Sequence, residues 1–431
     1  MFSALFELLR TAQSPSLNLY LVVVGYFWLV WSIKIAYLLF YRPDDNDFRA
    51  PVSVVMPTYN EDRGVLAQAI GLVLGRPADE VAEIVIVIDY REPGIREWLE
   101  STLPADPRVQ VVETQVAGKR NSLALGIRTA TREIVVSVES DVFINEATIP
   151  EIVKPFADPQ VGGVVGDQRI YQATSNALYW VNSIAESVKY NIGYPAMSAV
   201  GQVTVLSGRC VAYRREAVLP LLPGLTGEVF LGRLCFSGDD GRMTSLLLER
   251  GWKTKYQKSS VIETISPPTW RDLIRQQMRW FRNTGRRTLR ALFWDRLWVW
   301  RKCPMAAWQM VTTWTGAMMI GVLLFAVGRS IVTRSWFWFG TDWQGVALRI
   351  ALLVIGITIT RFIRSLPALE SFPVRGRLWI VILPWYGFVL WVVKLYAFAT
   401  MNRQGWVTRE TGLGAGGFGA KVPAVAEATS G

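Results

Sequence analysis

Residues 51–62, PVSVVMPTYNED, join a run of β-branched residues to a cluster of polar and acidic ones. Two further runs have the length of buried strands, EIVIVIDY at 83–90 and EIVVSVESD at 133–141. Segments with helical periodicity lie between them, for example RGVLAQAIGLVLG (63–75) and KRNSLALGIRTAT (119–131). Strands that alternate with helices are typical of βαβ units. The sequence therefore predicts an α/β fold with a largely parallel sheet from Ala50 to about Thr264.

The predicted strands end in polar side chains. The first is followed by Thr58, Tyr59 and Glu61, and the second ends at Asp89. Ligands of parallel α/β sheets gather at the carboxyl ends of the strands, so we expect these groups to lie close together. An aromatic residue at such an edge is suited to stacking on a nucleotide base. By itself, an ordinary βα loop explains the pattern equally well.

Glu139 and Asp141 lie two residues apart at the end of the third predicted strand. Strand alternation places both side chains on one face. Two neighbouring carboxylates repel each other unless a cation lies between them, and a metal bound to a diphosphate needs such oxygen ligands. A solvated acidic pair at a strand end remains an alternative for these two residues.

Asp239 and Asp240 stand side by side in SGDDGRMT (237–244). They precede a predicted helix, RMTSLLLERGW, whose apolar face contains Met243, Leu246, Leu247 and Leu248. An aspartate before a helix is commonly an N-cap, which explains one of the two. A second carboxylate beside the first is expected to have a raised pKa, which suits a general base.

The segment QQMRW (276–280) supplies three further kinds of group. Arg279 offers a planar fork for phosphate oxygens. Trp280 offers an aromatic face for a sugar ring, and Gln276 and Gln277 offer neutral amides for hydrogen bonds.

The composition of the chain limits the catalytic groups and the metal sites that it can contain. The chain has 431 residues, of which 46 are Lys or Arg, 35 are Asp or Glu and none is His. Catalysis by Ser-His-Asp or Cys-His groups and HExxH zinc sites are therefore excluded. We therefore expect carboxylates to transfer protons. A metal would bind oxygen ligands, which favours Mg²⁺ or Mn²⁺.

The three cysteines, Cys210, Cys235 and Cys303, are too few and too widely spaced for a disulfide framework, so we expect them to be reduced and buried.

Hydrophobic residues make up 51% of the chain, and the mean hydropathy is +0.24, which points to a membrane. Residues 18–40 are long and apolar enough to span it, and Arg42 and Arg49 then place the following residues in the cytoplasm. Further apolar stretches are 304–328, 343–366 with Arg349, Arg361 and Arg364, and 378–400 with Pro384 inside.

Between these parts, residues 268–302 have arginines every three or four residues, interleaved with aromatic residues. This pattern is typical of an amphipathic helix at a membrane surface, and lipid anchoring is the expected role of most of the arginines, Arg279 excepted. The six are Arg271, Arg275, Arg279, Arg282, Arg286 and Arg290.

We therefore predict five parts. They are an N-terminal transmembrane helix (1–43), a cytosolic α/β domain (44–266), amphipathic interface helices (267–303), transmembrane helices (304–402), and a C-terminal segment with a low-complexity tail (403–431). One span before the domain and three after it would place residues 406–409 outside the cell. Either 343–366 lies in the interface or 367–402 crosses twice.

The combination of motifs resembles processive family 2 glycosyltransferases, especially hyaluronan synthases and chitin-oligosaccharide synthases. The resemblance runs from about residue 50 to 409 and rests on motifs that follow one another in the same order. They are PTYNED, GKR (118–120), ESD, SGRC (207–210), GDD, QQMRW and the segment 384–409.

This resemblance implies a Rossmann-like GT-A domain placed between transmembrane helices of the inner membrane, and an inverting hexosyltransferase. The implied ligands are a nucleotide-diphosphate sugar (most often a UDP-sugar), Mg²⁺ or Mn²⁺, a polysaccharide acceptor and membrane lipid. Nucleic acid is not expected. The resemblance also implies the following roles by position: nucleotide binding by Thr58, Tyr59, Glu61, Asp89, Lys119, Trp406 and Arg409, metal binding by Asp141 with Glu139, acceptor binding by Ser207, Gly208 and Trp280, and catalysis by Asp240 as general base with Asp239, Gln276, Arg279 and Trp280.

Four motifs depart from the family pattern. The family's Asp-Asp, Asp-Ser-Asp, Ser-Gly-Pro-Leu and Trp-Gly-Thr-Arg stand here as Ile-Asp (88–89), Glu-Ser-Asp (139–141), Ser-Gly-Arg-Cys (207–210) and Trp-Val-Thr-Arg (406–409). The arginine in the third motif, Arg209, favours an anionic or otherwise different acceptor, so hyaluronan is not assigned as the product.

Two alternatives remain. A non-processive glycosyltransferase that acts on a lipid carrier would share the acidic motifs. A transporter with a nucleotide-sensing domain would not turn over a sugar donor.

Overall fold

The computed structural model describes residues 15–171, 176–295, 297–333 and 372–403, together with short pieces at 351, 354–356, 358–360, 362–366 and 369. Trp406, Arg409, Arg349 and Arg361, which the sequence singles out, lie outside the described residues, as do half of 343–366 and the whole C-terminal tail.

The α/β part begins with the predicted strand–helix alternation. Its elements are β1 (Val52–Pro57), α2 (Arg63–Leu74), β2 (Val81–Asp89), α3 (Ile95–Thr102), β3 (Val109–Thr114), α4 (Lys119–Thr129), β4 (Ile134–Val138), β5 (Val142–Ile144) and α5 (Thr148–Val153), preceded by α1 (Pro15–Leu38). Asp62 caps α2 by accepting hydrogen bonds from the amides of Gly64 and Val65, so this acidic residue of the first motif has a structural role.

The second half of the domain contains shorter elements. They are β6 (Val161–Ile170), α6 (Ala177–Val188), a π-helical turn (Lys189–Gly193), α7 (Tyr194–Ser198), β7 (Cys210–Arg214), α8 (Arg215–Val218), α9 (Leu222–Thr226), the hairpin β8 (Val229–Phe230) and β9 (Arg233–Leu234), α10 (Asp239–Glu249) and β10 (Lys253–Thr264). Two 3₁₀ turns, Lys154–Ala157 and Leu219–Leu221, complete this part.

The sheet has eight strands in the order β3-β2-β1-β4-β7-β6-β10-β5. The prediction of a largely parallel sheet is confirmed for β1 to β4 and for the pair β6 and β10, and it is wrong for β7 and β5. β7 runs antiparallel between β4 and β6, and β5 runs antiparallel to β10. The four strands β3, β2, β1 and β4 are parallel to one another, and the chain reverses its winding direction between β1 and β4. A crevice at that reversal is the usual ligand site of such sheets.

Both faces of the sheet are covered by apolar side chains. On one face, alternate residues of β1 and β2, such as Val54 and Ile86, pack against α2, α3 and α5. On the other, Val55 and Val87 pack against α4, and the same layer continues to Met243 and Leu247 of α10. Fully buried strands of this kind hold the polar strand ends in fixed positions at one edge.

After the sheet come α11 (Trp270–Leu289), a π-helical turn (Arg290–Trp294), α12 (Trp298–Lys302), α13 (Pro304–Thr333), α14 (Val374–Arg377), a 3₁₀ turn (Leu378–Ile382) and α15 (Leu383–Ala399). Helices α1, α13 and α15 pack together. Phe27 of α1 stacks on Trp391 of α15 at 5.9 Å, and Tyr26 hydrogen-bonds Thr315 of α13. Pro384 lies in the first turn of α15, directly after the 3₁₀ turn, where a helix tolerates a proline.

Within the described part of the chain, Val374–Ala399 is the one helical stretch that is both long and apolar enough to cross a bilayer. The predicted spans at 18–40 and 304–328 coincide with α1 and α13. The number of spans stays a prediction. Cys210, Cys235 and Cys303 are buried thiols that form no disulfide, as expected.

Candidate active site

A cavity of about 940 Å³ opens at the carboxyl edge of β1, β2 and β4 and is closed on the other side by α11. It brings together every predicted site residue that the structure describes. These are Thr58, Tyr59, Glu61, Asp89, Lys119, Glu139, Asp141, Ser207, Gly208, Asp239, Asp240, Gln276, Gln277, Arg279 and Trp280. Asp141, Asp240 and Arg279, which are far apart in the sequence, line the same cavity.

The two aspartates occupy the first turn of α10, not the loop before it as the sequence suggested. Gly238 precedes the helix with a φ of 80°, a left-handed conformation that favours glycine. A Cβ at this position would lie 2.9 Å from Cγ of Asn283 on α11. Gly238 thus lets α10 begin directly against α11, and this close approach aims both carboxylates into the cavity.

Asp240 has the properties of a general base. Burial raises the pKa of its carboxyl group, and the neighbouring charge of Asp239 raises it further. The charges of Lys119 and Arg287 and the Gly241 amide, whose nitrogen lies 2.7 Å from Asp240 Oδ1, act in the opposite direction. A carboxylate with a raised pKa is a stronger proton acceptor than an ordinary aspartate.

Lys119, at the start of α4, lies among the carboxylates. Its Nζ is 3.1 Å from Asp239 Oδ2 and also pairs with Glu139. Burial alone would lower the pKa of Lys119, but the charges of Asp239 and Glu139 outweigh it and raise the pKa. The residue predicted to hold the nucleotide is thus a fixed cation bound to two acids.

Gly208 lies against this ion-pair group. A Cβ at position 208 would be 3.0 Å from Lys119 Nζ, 3.4 Å from Asp239 Oδ2 and 3.5 Å from Glu139 Oε1. The predicted acceptor residue is therefore tightly packed, because a side chain at position 208 would press on the three charged ends.

At the nucleotide end of the cavity, Asp89 is held by Arg91, which the sequence analysis missed. Arg91 Nε and Nη2 donate to the two carboxylate oxygens at 2.9 and 3.0 Å. Burial alone would raise the pKa of Asp89, but the hydrogen bonds and charge of Arg91 lower it. The Arg91 guanidinium also lies 4.4 Å from the centre of the Tyr59 ring. The sequence Asp-Tyr-Arg (89–91) at the end of β2 could have indicated the ion pair between Asp89 and Arg91.

Two more polar residues line the same end. Ser140 Oγ donates to Glu61 Oε2 at 3.0 Å, which ties the loop after β4 to the loop after β1. The buried Thr58 hydroxyl has no hydrogen-bond partner within the described residues, so it is available to a ligand.

At the acceptor end, Arg209 lies over the Trp280 ring, 5.4 Å from its centre. Its Nη1 is also 3.6 Å from Glu186 Oε2, and Lys189 Nζ is 3.6 Å from the same oxygen. Burial alone would raise the pKa of Glu186, but the two cations outweigh it and lower the pKa. Sequence reasoning identified Arg209 and Trp280 but not Glu186 or Lys189, because nothing nearby in the sequence connects α6 to this site.

Several arginines of α11 are used inside the protein, contrary to the expected lipid anchoring. Arg282 donates to Thr400 Oγ1 at 3.1 and 3.0 Å, and the buried Arg286 donates to the Met401 carbonyl at 2.9 Å. Arg290, in the π-helical turn after α11, pairs with Asp295 at 3.1 Å. The contacts of Arg282 and Arg286 attach the residues that follow α15 to α11, which forms one wall of the cavity.

The described residues contain no group of three or more His, Cys, Asp or Glu side chains arranged to hold a metal. The available donors are carboxylate oxygens, of which Asp141 is the predicted ligand and Glu139 pairs with Lys119. Mg²⁺ and similar ions commonly take one or two carboxylates and complete their shell with substrate phosphates and water. The residues present fit a metal that is bound together with a diphosphate.

Comparisons with known proteins agree with this geometry. The family described as glycosyltransferase like family 2 matches residues 50–283, more than half of the chain. An N-acetylglucosaminyltransferase of Rhizobium meliloti is 25% identical over 420 residues, which cover 93% of this chain and 92% of that protein. A hyaluronan synthase of Streptococcus pyogenes is 26% identical over 416 residues, with 91% and 93% covered.

Among solved structures, a mannosyltransferase from Pyrobaculum calidifontis in complex with GDP-Man and Mn²⁺ superposes with a TM-score of 0.59. It is 19% identical and covers 89% of this chain and 98% of its own. This likeness shows that the two share a fold.

Proposed function

This chain belongs to glycosyltransferase like family 2 and is a hexosyltransferase related to hyaluronan synthases and N-acetylglucosaminyltransferases; we propose that it is an inverting, processive polysaccharide synthase that uses a nucleotide-diphosphate sugar. The donor is most often a UDP-sugar in the family that the sequence resembles. The observation that carries the proposal is that Asp141, Asp240, Arg279 and Trp280 line one cavity.

The proposed reaction needs one base and no covalent intermediate. Asp240 accepts the proton of an acceptor hydroxyl while that oxygen attacks the anomeric carbon of the donor. The bond between the anomeric carbon and the phosphate oxygen breaks, and the nucleotide diphosphate leaves with the bonding electrons. Attack from the face opposite the leaving group inverts the configuration at the anomeric carbon.

The other residues bind and orient. In this proposal Tyr59, Asp89 and Glu61 bind the nucleotide, and Trp280 and Gln276 bind the acceptor sugar. Its support is that all five residues line the cavity. Arg279 stabilises the charge that develops on the diphosphate. A Mg²⁺ or Mn²⁺ ion held by Asp141 would add positive charge at the same phosphates. We propose that Trp406 and Arg409 close over the bound nucleotide.

The proposal also includes transport of the polysaccharide across the membrane. The helices α1, α13 and α15 and the adjoining membrane segments would form the path by which the polymer crosses the membrane, with the α/β domain in the cytoplasm. Support comes from the walls of the cavity, which reach from the strand ends to Trp31 and Lys34 of α1 and to Gln309 of α13.

The test is turnover by the purified full chain in detergent. UDP-glucose, UDP-N-acetylglucosamine, UDP-glucuronate and GDP-mannose are each supplied with Mg²⁺ or Mn²⁺, and nucleoside diphosphate release and product length are measured. We expect release with at least one donor and a product that lengthens with time. Asp240→Asn should reduce turnover by about 10²- to 10⁴-fold, whereas Asp79→Asn, an exposed surface change, should leave it unaltered.

Two outcomes would contradict the proposal. A single sugar added to a lipid carrier would indicate the non-processive glycosyltransferase. Sugar movement across a vesicle membrane that survives Asp240→Asn, with no donor turnover by the unaltered chain, would indicate the transporter.

A further inference from the structure

The charge of Arg209 at the acceptor end of the cavity is shared with the protein itself. Its Nη1 lies 3.6 Å from Glu186 Oε2 and donates to Gln168 Oε1 at 3.3 Å. Its guanidinium covers one face of the Trp280 ring, so a sugar that stacks on this tryptophan must use the other face. An arginine alone would favour an anionic acceptor, as the sequence suggested. Here the arginine faces a carboxylate.

Glu186 is the acid of this group, and it serves two cations. Lys189 Nζ lies 3.6 Å from the same Oε2 atom. The charges of Lys189 and Arg209 lower the pKa of Glu186 despite its burial, so the side chain carries a negative charge at neutral pH. A second carboxylate brought to this end of the cavity would be repelled by that charge.

The hydrogen-bonding capacity of Glu186 is not filled by these ion pairs. Both nitrogens are 3.6 Å from Oε2, which is beyond hydrogen-bond distance. Oε2 makes no hydrogen bond within the described residues, although the residue is only 8% exposed and belongs to the cavity wall. An ionised carboxylate can only accept, so the group that completes this site must be a donor, such as a hydroxyl or an amide N–H.

Tyr194 adds a second buried polar group to the same part of the wall. Its hydroxyl also has no hydrogen-bond partner in the described part of the chain. A phenol can both donate and accept, which suits the hydroxyl groups of a sugar. Buried polar atoms are rarely left without partners, so two of them beside one aromatic face indicate a polar, uncharged ligand.

We propose that Glu186 is a specificity-determining residue for the acceptor: its carboxylate accepts hydrogen bonds from the hydroxyl or amide groups of an uncharged sugar that stacks on Trp280, and it disfavours a uronate at that position. The inference rests on the proposed function, because it names the acceptor class of the same site.

The experiment measures binding without turnover. Fluorescent tetrasaccharides of glucose, of N-acetylglucosamine and of glucuronic acid are titrated against the purified full chain in detergent. We expect at least one of the two neutral tetrasaccharides to bind at least about tenfold more tightly than the glucuronate one, because a hydrogen bond to a charged group contributes that much or more. Trp280→Ala should abolish this preference, which assigns it to the acceptor end.

Glu186→Gln tests the residue itself. The amide keeps the shape of the side chain but leaves the charges of Arg209 and Lys189 without their acid. Affinity for the neutral tetrasaccharide should fall by about tenfold and affinity for the glucuronate tetrasaccharide should rise, so that the preference is lost or reversed. A purely structural role of Glu186 would weaken the binding of both.

Two further variants frame this result. Glu186→Asp keeps the charge and should keep the discrimination against glucuronate. Glu100→Gln, an exposed change on α3 outside the cavity, is the matched control and should bind as the unaltered chain does. If Glu186→Gln does not fold, Glu186→Asp and the comparison of tetrasaccharides on the unaltered chain still decide the question.

Equal or tighter binding of the glucuronate tetrasaccharide by the unaltered chain would overturn the inference. So would parallel weakening of both classes in Glu186→Gln, or no binding of any tetrasaccharide. Donor turnover by the same preparations is measured separately. Absent turnover counts against the proposed function, whereas turnover without a preference for a neutral tetrasaccharide counts only against this inference.

Discussion

Lys119 Nζ lies 3.1 Å from Asp239 Oδ2 and pairs at the same time with Glu139, so one lysine joins the acids of two separate motifs. The sequence suggested that neighbouring carboxylates at this edge need a metal ion between them. In the structure, part of that positive charge comes from a side chain. Lys119 therefore acts on the active site through the charge state of the carboxylates, in addition to any contact with a nucleotide.

The first prediction concerns the pH dependence of turnover. Asp240 accepts a proton only when it is ionised, so activity exists above its pKa and is lost as the pH falls through it. Because Lys119 lowers the pKa of Asp240, Lys119→Gln should raise that pKa and move the acid limb of the pH–rate profile to higher pH. Lys258→Gln, an exposed change on β10, is the control. An acid limb that stays in place would contradict the role of Lys119.

Asp239→Asn should shift the same limb in the opposite direction. The charge of Asp239 raises the pKa of Asp240, and its removal also leaves Lys119 with one acid fewer to neutralise. Both effects lower the pKa of Asp240, so the acid limb should move to lower pH. The profiles of the two variants, measured with saturating donor, should therefore lie on either side of the unaltered enzyme. Two limbs displaced in the same direction would show that another group titrates.

Much of this site follows from sequence because parallel strands bring their carboxyl ends to one edge. Asp89 ends a strand, and Thr58 and Asp141 follow one, which was enough to place them at the same edge. The positions and directions of β7 and β5 in the sheet could not be predicted from the sequence. Antiparallel insertion depends on contacts between segments far apart in the sequence, and no local pattern distinguishes it from a parallel strand.

Some site residues could not be predicted from the sequence for the same reason. Glu186 on α6 meets Arg209 only after the chain has folded, and its sequence neighbours are those of an ordinary buried helix. The sequence identified Lys119 as a site residue, but it did not predict the ion pairs with Asp239 and Glu139. The start of α10 at Asp239 was misplaced because a glycine in a left-handed conformation, here Gly238, takes the N-cap position instead of an aspartate.

Arg91→Ala tests the arrangement at the nucleotide end. The change releases Asp89 and uncovers the face of Tyr59 that Arg91 now occupies. If Arg91 positions these two residues for the base and ribose, the affinity for the nucleoside diphosphate should fall by about tenfold, which corresponds to the loss of one charge-assisted hydrogen bond. Titration calorimetry measures this effect directly. Arg96→Ala on the neighbouring helix α3 is the control, and equal or tighter nucleotide binding by Arg91→Ala would refute the positioning role.

Gly208→Ala should lower turnover more than stability. The added Cβ would lie 3.0 Å from Lys119 Nζ, so the ends of the ion-paired side chains must move by a few tenths of an ångström. These ends are flexible, and we expect the melting temperature to change by no more than about 4 °C, while kcat falls by about tenfold because the aspartates shift. Gly71→Ala, with open space around its Cβ in α2, is the matched control and should be neutral or stabilising. Unchanged kcat in Gly208→Ala would contradict the tight fit.

The last prediction separates backbone strain from close packing at the start of α10. Gly238 and Gly94 both precede a helix with similar left-handed φ values, 80° and 75°. A Cβ at Gly94 would meet nothing within 4 Å, whereas one at Gly238 would lie 2.9 Å from Asn283. Gly94→Ala should therefore cost only the conformational strain, about 1 kcal/mol of unfolding free energy.

Gly238→Ala should cost more, because α10 must also move away from α11. That movement would displace Asp239 and Asp240, so turnover should fall together with stability. Gly238→Ala combined with Asn283→Ala removes much of the overlap and should recover part of both losses. Thermal unfolding and donor turnover of the four variants, including Asn283→Ala alone, measure the two effects. If Gly238→Ala were no more harmful than Gly94→Ala, the contact between α10 and α11 would not be what sets the position of the aspartates.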